Sequence, residues 1–351
     1  MKKIKNIGIN TLLGGVLMLF TFASCDGDDN NGSSVSTGKP VITSVSPSLN
    51  EDGQPSDLTP VTVGYADNMY IIHGSGFKSL QKVYFNNTDT AFNLTLVTDT
   101  DIFVTIDRNT PYQNQPNELR IVTAGGTATF DFVVAPPAPG LTSFNPINAA
   151  TGSTIKIYGS FFLDPVVKFG DIEATVVNSS LTEIEVTVPE GAQHQYVSVT
   201  TISGEAVSKQ AVGTAIFDDV FYGDWGMSAP ATVIDGIPTK TPSQGLKLIE
   251  GAVDGWGNIG TNWIWNDQLS DYKGLRIAIK GKNAGKVAVI LNGHWDDSIS
   301  ALLDITTEWK TFEIPWDTFG PVPAIQNITL KNNVGDANVF YVDDIGYVLN
   351  D

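Results

Sequence analysis

The sequence predicts an all-β chain of three consecutive sandwich domains, and three observations carry that expectation. Beyond the N-terminal 24 residues no stretch keeps apolar residues at helical spacing, while turn-forming residues recur roughly every 8–12 positions, the rhythm of short strands. A block pattern in the first half of the chain is repeated once, so two similar domains stand in tandem. All seven tryptophans then fall in the last 127 residues, which marks a third domain of different texture. Composition agrees: 34 glycines, 18 prolines and only 17% charged residues suit short strands joined by tight turns.

The chain opens with Lys2, Lys3 and Lys5 ahead of an apolar run that ends in Ala23, Ser24 and Cys25. A charged start, a short apolar core and small residues at the cut describe a secretory signal over 1–24. The apolar run is too short to cross a bilayer comfortably as a permanent span. Cys25 is the only cysteine, so it has no internal disulfide partner. Its setting resembles a bacterial lipobox, although Phe22 stands where leucine is usual. The resemblance implies acylation of Cys25 and a lipid-anchored chain; the alternative is a secreted chain without lipid. Residues 25–38, acidic at first and then rich in Asn, Gly and Ser, read as a flexible tether. Acidic residues directly after the cysteine also resemble the surface-export signal of Bacteroidetes lipoproteins.

Formal net charge is −18 and the sequence pI about 4.4. Nothing basic is concentrated enough to neutralise phosphates, which excludes nucleic acid and anionic phosphate surfaces as partners. Contact with a membrane is then expected through the lipid alone.

The repeat is explicit. Residues 40–47 (PVITSVSP) recur as 139–146 (PGLTSFNP), 70–77 (YIIHGSGF) as 155–162 (IKIYGSFF), and 82–85 (KVYF) as 166–169 (VVKF). The offset drops from 99 to 85 between the first two blocks, so the first copy carries an insertion of about 14 residues within 48–68. Each copy has the size of one immunoglobulin-like sandwich, giving domains over 39–136 and 137–216. The order of these blocks resembles the IPT/TIG family, with Phe161 departing from the glycine usual at its position. Pro136, Pro137 and Pro139 make the junction semi-rigid, and a spacer role is expected for both copies.

From 217 to 351, strand-like runs are expected at 215–221, 246–250, 263–265, 275–280, 287–292, 299–305, 310–315, 325–331 and 339–348. Nine short strands in this length fit one jelly-roll sandwich. The series resembles galactose-binding-like jelly rolls used as carbohydrate-binding modules. Signal, tandem IPT/TIG sandwiches and a tryptophan-rich jelly roll together resemble the surface glycan-binding lipoproteins of Bacteroidetes polysaccharide-utilisation systems. That resemblance implies non-catalytic capture of a polysaccharide, a β-glucan being the favoured class, at the outer face of the outer membrane. It also implies service to a TonB-dependent transporter and its lipoprotein partner.

Tryptophan offers a flat, weakly polar face to the apolar side of a sugar ring. Trp225, Trp256 and Trp295 sit in glycine-bounded polar loops, a poor setting for core. Trp263 and Trp265 alternate around Ile264, so on a strand they would share one face roughly 6.5–7 Å apart. These five are the candidate platform, with Asn258, Asn262, Asn292, His294 and Asp296 as candidate hydroxyl partners. Trp309 and Trp316 bracket a strand and are expected to pack. No cofactor is expected. Asp218, Asp219, Asp343 and Asp344, near the first and last strands of the jelly roll, are candidate ligands for a structural Ca²⁺, as the resemblance to similar jelly rolls suggests. Two other readings stand: a surface adhesin that binds protein, and a glycoside hydrolase. The second lacks a catalytic signature, since His73, His194 and His294 fall one to a domain and no His-Glu-x-x-His or Gly-x-Ser-x-Gly occurs.

Overall fold

The computed structural model describes residues 38–264 and 267–350. The expected signal peptide, Cys25 and nearly all of the tether lie outside these residues, as does Trp265. What is described is all-β, with two short 3-10 turns, Asp297–Ile299 and Trp316–Phe319.

The first sandwich pairs a sheet ordered Val41–Pro47, Met69–Ser75, Asp101–Thr105, Phe92–Val97 with a sheet ordered Thr88–Thr90, Leu80–Phe85, Glu118–Thr123, Gly126–Asp131. Alternation does the sorting. Along Asp101–Thr105 and Glu118–Thr123 every second residue is buried, and those residues meet in one apolar cluster around Val45, Ile72, Val83, Phe85, Ile102 and Phe132. The second copy repeats the arrangement, with sheets Gly140–Asn145, Thr154–Ser160, Glu183–Thr187, Thr175–Ser179 and Ile172–Glu173, Val166–Phe169, Tyr196–Thr201, Gly204–Ala211. Even the register slip recurs, between Ile42 and Ser44 in one copy and Leu141 and Ser143 in the other.

Two repeated residues have physical causes. Gly74 and Gly159 lie where a Cβ would come within 1.9 Å of the carbonyl oxygens of Val41 and Gly140, so only glycine lets the first two strands approach. Gly76 adopts φ +77 in the turn that follows, and Phe161 holds the matching position at φ +59. The departure seen in sequence is thus a bulky residue in a left-handed conformation that glycine adopts freely.

The third domain is a jelly-roll sandwich. One sheet is ordered Thr232–Asp235, Lys247–Val253, Asn338–Leu349, Tyr272–Gly281, Lys310–Pro315, with Ala215–Phe217 added against Asn338–Leu349. The opposing sheet is ordered Asn258–Gly260, Ile328–Asn332, Gly285–Leu291, Ala301–Ile305. Ile249, Ile277, Ile279, Val287, Val289, Leu330, Phe340 and Val342 fill the space between them. The strand expected at 263–265 is not one where it is described: Trp263 and Ile264 lie in irregular chain after Asn258–Gly260. There Ile264 turns inward onto the core while Trp263 stays outside. The strands Thr232–Asp235 and Asn258–Gly260 were not legible, being short and largely polar or glycine-bearing.

The second sandwich is bonded directly to the jelly roll. The backbone N–H of Tyr347 donates to Thr214 O (2.8 Å), and the Asn148 side chain exchanges two bonds with the backbone of Ala215. The first sandwich meets the second through the proline junction, where Ser203 Oγ donates to Pro136 O.

Candidate functional site

The site is built on the end of the smaller jelly-roll sheet. Gly285–Leu291 leaves the sheet through a turn in which Asn292 has φ +52 and Gly293 φ +68, both in the left-handed region that Asn and Gly tolerate best. His294 closes the turn by donating its N–H to Leu291 O. The Asn292 side chain faces the neighbouring loop: its amide donates to Ala324 O, and its oxygen accepts from Gln326 N and Asn327 N. This clamp fixes the rim on which the aromatic residues stand.

Trp263 and Trp295 flank Gly293. A Cβ on Gly293 would lie 3.4 Å from Trp263 Cη2 and 3.9 Å from Trp295 Nε1, so the bare backbone is the floor between two indoles. Both rings face water, Trp263 at 61% and Trp295 at 54% exposure. Beside them Asp296 caps the 3-10 turn by accepting from Ser298 N and Ser298 Oγ, bonds that hold its carboxyl below the ordinary range. His294 and Asp296 are exposed next to the pair.

The remaining candidates divide. Trp256, 60% exposed, lies at the far end of the same sheet, where its N–H donates to Val334 O. Asn258 is exposed and paired across the sheet with Lys331. Asn262 donates to Asp224 O, and its buried Oδ1 has no hydrogen-bond partner among the described residues. Asn292 is committed to the clamp, so its expected role as a hydroxyl partner is corrected to one of positioning.

Trp225 is a correction of a different kind. Its exposure is 8% and it belongs to the jelly-roll core with Phe217, Ala231 and Ile249. The loop after Ala215–Phe217 folds back, with Trp225 N donating to Tyr222 O, and carries the indole inward. Trp309 and Trp316 both use their indole N–H internally, toward Thr241 O and Tyr272 O. Lys280 lies 4.8 Å from the Trp309 ring centre and 5.7 Å from that of Tyr341, a cation shared between two aromatic faces on the larger sheet.

The four aspartates do gather near the junction of the second sandwich and the jelly roll, but as acceptors for protein donors. Asp343 accepts from Ser243 N, Ser243 Oγ, Gln244 N and Asp344 N. Asp219 accepts from Leu246 N, Lys247 N and the Asn145 amide, and Asp218 accepts from Ile147 N. Asp344 is held bidentately by Arg276 at 2.9–3.1 Å, both side chains being almost fully buried, and takes a further bond from Gln210 of the second sandwich. A calcium site needs six to eight oxygens free to face the ion. Here a guanidinium supplies the positive charge, and the donor set does not fit Ca²⁺. Among the described residues no group of three or more His, Cys, Asp or Glu is arranged to hold a metal.

One constellation escaped sequence reasoning. In the first sandwich Ser46 Oγ lies 2.8 Å from His73 Nε2, and His73 Nδ1 lies 2.7 Å from Asp101 Oδ1. The three come from adjacent strands and no local motif announces them. The geometry is that of a nucleophile, base and orienter. Ser46 is nevertheless fully buried, at 0% exposure, so no substrate carbonyl reaches it. The chain of bonds ties three strands together.

Residues 139–214 match the IPT/TIG domain family. An IPT/TIG domain-containing protein of Bacteroides ovatus is 30% identical over 156 residues, which cover 42% of this chain and 29% of that relative's length. The chain therefore spans less than a third of that protein. The crystal structure of the surface glycan-binding protein PbSGBP-B from Prevotella bryantii aligns with a TM-score of 0.50 at 17% identity, covering 90% of this chain and 99% of that one. The family 11 carbohydrate-binding module of the Clostridium thermocellum cellulase Lic26A-Cel5E aligns over 40% of this chain and 97% of its own, at 21% identity and a TM-score of 0.29. Residues 139–214 thus match the IPT/TIG domain family, and the chain as a whole shares its fold with a surface glycan-binding protein.

Proposed function

We propose that the protein captures a polysaccharide without cleaving it, through the Trp263–Trp295 pair on the rim of the jelly roll. The observation that carries this reading is two large, solvent-facing indoles on either side of a glycine floor, on a turn pinned by Asn292. Exposed tryptophan is unfavourable unless something covers it, and a flat apolar face with polar neighbours suits a sugar ring. A stacked ring covers roughly 80–100 Å², or about 2–2.5 kcal/mol gross. Two such contacts, less the ordering of a flexible glycan, give binding between micromolar and millimolar.

The likeness of fold to PbSGBP-B supports a glycan as ligand and the cell surface as location. A β-glucan is the class proposed, together with acylation at Cys25, anchoring in the outer membrane, and delivery to a TonB-dependent transporter and its lipoprotein partner. The glycoside hydrolase reading has no catalytic signature in the sequence to support it, and the likeness of fold to PbSGBP-B, a surface glycan-binding protein, favours capture. The adhesin reading draws on one observation, the exposed Leu94 and Leu96 on an edge strand of the first sandwich.

Native gel electrophoresis of the chain in the presence of β-glucans, xyloglucan, mannan and starch tests the proposal. Retardation by at least one polysaccharide, with no reducing ends released, is the expected result. Free migration in every gel would move the adhesin reading to the front.

A further inference from the structure

We infer that the jelly roll carries a second saccharide-binding site, centred on Trp256 and separate from the Trp263–Trp295 pair. The inference rests on the glycan-capture reading above and adds to it a place and a stoichiometry.

Separation comes first. The chain from Trp256 to Ile264 runs antiparallel to 326–334: Trp256 N–H bonds Val334 O, and Ile264 N–H bonds Gln326 O. Eight residues separate these ends, with the strand Asn258–Gly260 between them, a span of at most roughly 25 Å. Trp256 therefore stands at the opposite end of this segment from Trp263 and Trp295, apart from the pair that meets at Gly293.

The backbone under Trp256 is the second observation. Gly257 N donates to Asp254 O, closing a turn in which Trp256 holds φ +62. That is a left-handed position where glycine is at ease and a bulky residue is strained. Gly255 before it is obligatory, since a Cβ there would come within 1.9 Å of Gly335 O. The chain thus places its largest side chain at a position that favours its smallest, and leaves the ring 60% exposed. The Lys331 ammonium stands 6.0 Å from the ring centre, and the ring edge comes close to Gly335, where a Cβ would lie 3.5 Å from the indole nitrogen.

A cleft beside the turn supplies the third. It is an open, shallow depression rather than an enclosed pocket, which suits an extended saccharide more than a small compact ligand. It lies across the ends of Lys247–Val253, Tyr272–Gly281 and Asn338–Leu349, on the sheet opposite the one whose rim bears Trp263 and Trp295. Asp254, Lys282 and Asn283 line it with side chains that are exposed and engage no protein partner among the described residues. Asn338, by contrast, is spent on holding the Asn283 backbone. Asp254, which lines the cleft, also closes the turn that carries Trp256, so an acceptor, a donor and an amide lie on the same end of the domain as the exposed indole and suit the vicinal hydroxyls of a neutral hexose.

Two sites on one domain raise retention on a polymer beyond that of either alone, because the second contact becomes intramolecular. The test follows the indole N–H signals of the ¹⁵N-labelled chain by NMR during titration with soluble trisaccharides of β-glucan, xyloglucan and mannan type, too short to bridge the two ends. The expected result is that the Trp256 signal moves with its own dissociation constant, and still moves in Trp263→Ala/Trp295→Ala. Trp256→Gly should melt at the same temperature as the parent or higher, and lower retention in the polysaccharide gel several-fold. A Trp256 signal that stays still while those of Trp263 and Trp295 move would overturn the second site and leave the first intact. Loss of the Trp256 response in the double variant would also overturn it, by showing one continuous site. If no indole signal responds to any sugar, the glycan reading and this inference fall together.

Discussion

Trp225 and Trp295 sit in similar sequence and meet opposite fates. Trp225 stands between Asp224 and Gly226, and Trp295 between His294 and Asp296 just after Gly293, yet one belongs to the core cluster with Phe217, Ala231 and Ile249 and the other faces water. Trp225→Ala should lower stability by about 3–5 kcal/mol, the usual range for emptying a large aromatic site. Trp295→Ala should change it by no more than about 0.5 kcal/mol, as for a surface substitution. Urea denaturation of the two variants measures both. Sequence could not separate them because both lie in short polar loops that follow a glycine. What differs is whether the loop folds back on the sheet, and that is decided by chain returning from Ala231 and Ile249. Asn292 was misread for a related reason, since its partners at 324–327 lie more than thirty residues downstream.

Turns and edges, more than strands, set the site. The repeated blocks, the glycine that lets two strands meet and the alternation along Glu118–Thr123 were all legible, because each is a local consequence of pleat and close approach. The alternation of Trp263, Ile264 and Trp265 carried the same signature, yet Trp263 and Ile264 lie where the chain leaves the sheet. A period of two over three residues is too short to distinguish a strand from its exit. The Asn292–Gly293 turn is where the element-scale prediction belongs. Gly293→Ala puts a Cβ at φ +68 and 3.4 Å from the Trp263 ring, which strains the backbone by about 1–2 kcal/mol and tilts the indole. Glycan retention should fall about tenfold, out of proportion to that small loss of stability, when gel retardation and thermal melting are compared.

Across the whole chain, the junction between the second sandwich and the jelly roll is the feature least visible in sequence. Asp343 and Asp344 read as a metal pair because nothing local shows that Arg276, 68 residues away, reaches Asp344. The buried pair, joined by Gln210 from the second sandwich, holds the two domains in one orientation. Asp344→Ala leaves the guanidinium buried and unpaired, and should lower stability by about 3–5 kcal/mol in a denaturant titration. Burial pushes Asp343 up to about 7 against the donors of Ser243 and Gln244, and it raises Asp218 as well. In the folded chain these carboxyls keep a proton that the unfolded chain loses near pH 4. The contribution of Asp343 is therefore complete below about pH 4 and is lost as pH rises through about 7, and that of Asp218 falls in the same direction. The melting temperature should fall between pH 5 and pH 8, and Asp343→Asn should remove much of that slope.

Capture of a glycan by the Trp263–Trp295 pair is tested most directly by calorimetric titration of the full chain and of Trp263→Ala/Trp295→Ala with the polysaccharide that retards the parent. The double variant should keep the parent's melting temperature within a few degrees and lose at least tenfold in affinity. Equal affinity in the two proteins would place capture elsewhere, in the sandwiches or at Trp256 alone, and would contradict the site described.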